Sequence, residues 1–116
     1  MSKHEDRVSL TDMLSHASEA VELMRGIDRE GLARDRVKQL ALTRLMEILG
    51  EAANRVSSAA QCRHPDVPWP QVIAMRNRLV HGYDVIDYDL LWDTITNDLP
   101  PLIAVLQRIV DEARRM

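Results

Sequence analysis

Apolar residues recur along this chain at steps of three and four rather than two, the spacing of one face of a helix. Leu10, Met13, Leu14, Ala17, Val21 and Met24 form the first stripe and predict a helix over about residues 10–25. Ser9 opens the stretch S-L-T-D, a candidate N-cap with an acid three residues on, and residues 1–8 read as a polar lead-in. Gly26 stands where that helix would end. A second stripe, Val37, Ala41, Leu45, Ile48, Ala52, Val56 and Ala59, is broadened by Leu49 and Ala53 and predicts a long helix over about 34–60. Gly50 interrupts it at a cost of about 1 kcal/mol relative to Ala. Either a close backbone approach or simple slack would account for that glycine. "RHPDVPWP" ends the long helix, and Pro70 suits the first turn of a short one running from 70 to 80 or 81, with Gly82 as terminator. Asp87 is a candidate N-cap for a last helix from Tyr88, whose line Leu91, Ile95, Leu99, Leu102, Leu106 and Ile109 continues toward the C-terminus. Pro100 and Pro101 predict a kink there, or a fifth helix capped by Asp98. Strand-like alternation is absent. The expectation is an all-α bundle of four to five helices, one domain over residues 1–116.

Composition narrows the picture. Aromatics are 3% of the chain and Phe is missing, so the core must be built from Leu, Ile, Val, Met and Ala. Trp69 and Trp92 read as core or interface anchors, and the methionines as core filler. A net charge of −3 argues against a protein that coats nucleic acid, yet leaves room for a small basic cleft. Arg34, Arg36, Lys38, Arg44, Arg55, Arg63, Arg76 and Arg78 occupy the middle of the chain; Asp84, Asp87, Asp89, Asp93 and Asp98 follow with no basic residue among them. That contrast fits two solvated faces, or a basic cleft beside an acidic partner surface. Cys62 is alone, which excludes an intramolecular disulfide and a cysteine-built zinc site. His4, His16, His64 and His81 lack metal-ligand spacing, and neither a phosphate-cradling glycine loop nor G-x-S-x-G occurs, so no metal and no cofactor is expected. The polar N-terminus and the lack of a long apolar run predict a cytoplasmic protein without membrane contact.

One stretch departs from ordinary helical filler: "MRNRLVHGYDVIDYD", residues 75–89. On a continuous helix, Arg76 falls between Met75 and Leu79 on one side and Ile73 and Val80 on the other, inside the apolar arc. A guanidinium cannot discard its charge, so it must be paired or must line a cleft that water or an anion enters. Glu47 and Glu51 could pair it. His81 would face the opposite way if still helical and could approach Arg76 only if the helix stops there.

"RNRLVHGY" has the form R-x4-H-x-Y and resembles the signature of HepT-type toxins in the HEPN superfamily. "LMEILGEAANRV" is similar to that family's second helix, and "HPDVPWPQVIAMRNRLVHGYDVIDYDLLWDTITNDLPPL" to its second half. The likeness covers roughly residues 35–110. It implies a helical fold that pairs as a two-fold homodimer, with the motif helices lining a shared cleft. It implies a ribonuclease that needs no metal, acting on RNA as a toxin and neutralised by a minimal nucleotidyltransferase, the MntA-type antitoxin. Arg76 and His81 match the family's catalytic pair, Asn77 the polar residue after the arginine, and Tyr83 the motif tyrosine, which is also the acceptor for AMP from the antitoxin. Glu51 and Arg78 are candidates to support that group. The chemistry suits the residue types. A histidine titrates near neutrality and can move a proton at the 2′-OH or the leaving 5′-oxygen, and an arginine can hold the phosphate through two bonds. The competing reading is a non-catalytic module that binds a nucleotide or RNA and serves as substrate of the nucleotidyltransferase.

Overall fold

A computed structural model describes residues 3–81 and 85–115. The first helix, α1 (Lys3–Leu23), starts seven residues earlier than the Leu10 start predicted from the sequence and absorbs the supposed polar lead-in. Ser9 is therefore not a cap. It is buried inside the helix. The same is true of Asp6, whose carboxylate accepts bonds from the Ser57 backbone N–H at 2.9 Å and the Ser57 hydroxyl at 2.7 Å. This long-range partner, invisible to local pattern, holds the first turns of α1 in the bundle. Burial pushes the Asp6 carboxyl up, but the two bonds from Ser57, aided by Arg63, outweigh it and leave the group below its ordinary range. The C-terminal end agrees with expectation: Gly26 has φ +77°, the left-handed conformation that stops a helix.

A short helix α2 (Arg29–Ala33), capped by Asp28, leads to α3 (Arg36–Arg55), capped by Asp35. The second predicted helix extends to residue 60, but α3 stops at Arg55. Ser57 takes an extended conformation and caps a separate α4 (Ser58–Arg63). Trp69 is buried and its indole N–H donates to the His64 carbonyl at 3.0 Å, anchoring the proline-rich loop.

The motif region differs most from its prediction. In place of one helix there are two short ones, α5 (Trp69–Ile73) and α6 (Met75–Leu79), separated at Ala74. Val80 and His81 then form β1 (Val80–His81), paired antiparallel with β2 (Val85–Ile86) in the register Val80↔Ile86 and His81↔Val85. The sequence showed no alternation because each strand is two residues long. His81 thus leaves the helix as strand. Gly82, Tyr83 and Asp84 lie outside the described residues, and with them the expected helix end at Gly82 and the roles expected of Tyr83.

Asp87 caps α7 (Tyr88–Asp93) as predicted, accepting from the Leu90 N–H at 3.0 Å. The chain then passes through a widened π-helical turn (Thr94–Asp98) into α8 (Leu99–Arg114). Pro100 and Pro101 cannot donate to the carbonyls one turn earlier, and the widened turn just before them absorbs that mismatch. Asp98 makes no side-chain cap, so a separately capped fifth helix is not what the prolines produce.

Helix α1 packs against α3 and α8, while α3 also receives α5 and α6 on another side. Met13, Leu42, Met46, Leu49, Leu91, Leu99 and Leu106 are among the fully enclosed residues of the core. The core-facing line of α3 runs through Leu42, Leu45, Met46, Leu49, Ala52 and Ala53. Part of the predicted stripe is out of phase with it. Val37 is 76% exposed, Ala41 and Ala59 are exposed, and Ile48 is half-buried. The helix carries two apolar stripes, and only one of them is buried. No helix among the described residues is long and apolar enough to cross a membrane.

Candidate active site

Gly50 determines how closely the motif helices approach α3. A Cβ built there would lie 3.0 Å from the Val72 carbonyl oxygen and 3.3 Å from that of Ile73. These are backbone atoms of α5, so they cannot swing aside. Of the two explanations left open for this glycine, close approach is the one observed.

The contact forms a cleft of about 170 Å³ lined by Glu47, Gly50, Glu51, Asn54, Ile73, Arg76 and Asn77. Arg76 is not buried in an apolar arc. Its side chain is 55% exposed. The reason lies in how the arc is divided. Val72, Met75 and Leu79 point into the core, whereas Ile73 and Arg76 face the cleft and Val80 is only half-buried. A helical wheel merges these two sides because they adjoin.

Arg76 is nonetheless paired. Its Nε lies 3.5 Å from Glu47 Oε2. Arg44 Nη1 stands 3.6 Å from the same carboxylate and 3.7 Å from Glu51 Oε1. Glu47 is therefore shared between two arginines, and Glu51 joins the group through Arg44. Such half-exposed contacts contribute little to stability. Glu47 approaches Arg76 at Nε, and the guanidinium also carries two Nη groups, the kind of donor that grips a phosphate. Asn77 lines the same cleft and is exposed. Arg78 is exposed and lies outside the cleft lining.

Among the described residues, His81 is not part of that cleft's lining. Its side chain is 62% exposed, and Nε2 lies 3.8 Å from Asp87 Oδ2. Residue spacing alone could not foresee this neighbour, because Asp87 reads as a helix cap and the two-residue hairpin that brings it back is too short to leave a pattern. The acids beyond it do not form one free surface. Arg29 of α2 takes Asp89 at 3.1 Å and Asp93 at 2.6 Å. Among the described residues, no three His, Cys, Asp or Glu side chains converge as metal ligands would.

Residues 13–109 match the ribonuclease HepT-like family. The chain belongs to this family. Its HepT-like character extends to individual relatives across nearly their whole length. A Methanocaldococcus jannaschii protein named "Putative RNase MJ1380" is 33% identical over 102 residues, covering 88% of this chain and 94% of the relative. "Probable ribonuclease HepT" of Thermococcus cleftensis is 32% identical over 102 residues, covering 84% of this chain and 93% of that protein. No solved structure matches the chain. The family assignment makes the all-helical HEPN-type bundle and a ribonuclease the frame for the cleft around Arg76.

Proposed function

We propose that this HepT-like protein is the toxin of a HEPN/MNT toxin–antitoxin pair, a cytoplasmic endoribonuclease that cuts RNA without a metal ion. The observation that carries the reading is Arg76, an exposed guanidinium that lines the cleft with the Glu47 carboxylate beside its Nε. Arg76 holds the scissile phosphate and stabilises the charge that builds on its oxygens. His81 takes the 2′-OH proton or supplies one to the leaving 5′-oxygen, and the second copy of His81 fills the remaining role. Asn77 and Tyr83 orient the phosphate; Glu51, through Arg44, helps to set the position of Glu47, and Arg78 adds positive charge nearby.

The working unit in this reading is a two-fold homodimer. Two observations favour it. Among the described residues, the cleft that Arg76 lines does not include His81, and the second stripe of α3 leaves Val37 and Leu40 exposed. An MntA-type nucleotidyltransferase silences the toxin by adding AMP to Tyr83, and the added bulk and negative phosphate charge oppose the binding of an RNA phosphate.

Purified protein should cleave RNA in EDTA, and Arg76→Ala and His81→Ala should each reduce the rate by about 10²–10⁴-fold. Cleavage that survives both substitutions would sink the site. Mass spectrometry after co-expression with the antitoxin should find the nucleotide on the peptide carrying Tyr83. The competing reading, a non-catalytic binder of RNA or nucleotide, draws on the engagement of Arg76 by Glu47 and the distance of His81 from the cleft. RNA binding without cleavage by the dimer would favour it.

A further inference from the structure

Asp87 has more partners than a helix cap requires. Its backbone N–H donates to the Leu79 carbonyl at 2.8 Å, extending the β1–β2 ladder back to the end of α6. Its Oδ1 accepts from the Leu90 N–H and so caps α7. That leaves Oδ2, which stands 3.8 Å from His81 Nε2. The hairpin register explains the meeting. His81 lies opposite Val85, and Asp87 follows two residues later, so the two side chains are diagonal neighbours on one face of the ribbon. The backbone of Asp87 is thereby fixed at both sides: by the ladder to Leu79 and by the first turn of α7.

We propose that Asp87 is a positioning residue for His81: Oδ2 accepts from Nε2–H, which selects the Nε2–H tautomer and leaves Nδ1 as the nitrogen that exchanges a proton with substrate. This inference rests on the reading of His81 as the proton-transfer group. The 3.8 Å gap exceeds a hydrogen bond, and the proposed bond forms on closer approach of the exposed imidazole; such bonds commonly tighten only when substrate is bound. A carboxylate behind a histidine fixes the ring's tautomer and orientation and stabilises the imidazolium once it forms. The division of labour between the two oxygens matters. Oδ1 is committed to α7 and holds the group still, so Oδ2 faces His81 without an ordering cost at each turnover.

Asp87→Asn separates the two duties, because asparagine caps a helix as well as aspartate does. Its Oδ1 keeps the bond to Leu90, and its NH2 group, a donor, then faces His81 Nε2. The variant should melt within about 2 °C of wild type, bind RNA with unchanged KM, and lose roughly 100-fold in kcat. In the free protein, 15N NMR of the His81 ring should show Nε2–H in wild type and a switch toward Nδ1–H in the variant. The inference is overturned if Asp87→Asn cleaves at the wild-type rate while His81→Ala is inactive, or if the His81 tautomer is the same in both proteins. A wild-type dimer that cleaves no RNA would instead defeat the ribonuclease reading, and the NMR comparison would still decide the role of Asp87.

Discussion

The two apolar faces of α3 have opposite fates. One, through Leu42, Met46 and Leu49, is sealed against α1 and the rest of the core. The other begins with Val37 and Leu40, which are exposed, and passes Ile48 to reach Glu47 and Glu51 at the cleft. Both faces carry helical periodicity in the sequence, and a hydrophobicity pattern gives them equal standing. What separates them is the presence of a partner within the chain. The sealed face contributes stability, and the open face supplies a wall of the cleft. Gly50 sits on a third side, at the seam where α5 is drawn against α3.

The contrast can be tested by disturbing each face in turn. Leu49→Ala, on the sealed face, should have the largest effect on folding, about 2–5 kcal/mol by urea denaturation, because a fully enclosed side chain leaves a cavity. Gly50→Ala comes next. The gain in helix propensity, about 1 kcal/mol, is opposed by the contact with two carbonyl oxygens, so a net loss of about 1–2 kcal/mol is expected. Because that loss arises from pushing α5 away, the variant should also lose RNA cleavage out of proportion to its stability at assay temperature.

Acid should weaken the sealed side through Asp6. Its folded-state carboxyl titrates below the ordinary aspartate value, so its contribution is complete above about pH 4 and disappears as pH falls through the lower folded value. The loss of stability as pH falls below about 4, measured by denaturant midpoint, should be smaller in Asp6→Asn than in wild type. Val37→Ser combined with Leu40→Ser, on the open face, should change the melting of the protomer least, by about 0.5 kcal/mol or less. If the open face is where two copies meet, the same pair should convert dimer to monomer in light scattering. A dimer that persists would locate the interface elsewhere.

Much of the fold was legible, for local reasons. The α1 stripe, the stop at Gly26, the cap at Asp87 and the helical C-terminal line each depend on neighbours within a turn or two, which is the range over which sequence pattern acts. The misreadings share the opposite cause. The lead-in joined α1 because Asp6 finds Ser57, far along the chain. The motif helix broke at Ala74, and its last residues, Val80 and His81, became a strand next to the ladder bond from Asp87 to Leu79. The acids after the motif were partly claimed by Arg29. For the site, the chain displayed Arg76 as a charge that needed an explanation and Glu47 as a possible partner; the 3.5 Å approach between them agrees with that reading. It gave no sign that Asp87 would stand beside His81.

By itself, then, the sequence determined the helical class, the family and the identities of the candidate groups, because periodicity, caps and a spaced motif are properties of neighbours along the chain. Only the tertiary structure decided which stripe of α3 is core, why position 50 is glycine, and which carboxylate each cationic side chain meets. Those outcomes depend on the approach of backbones distant in sequence, where a few tenths of an ångström between a Cβ and two carbonyl oxygens determine whether the cleft forms as it does.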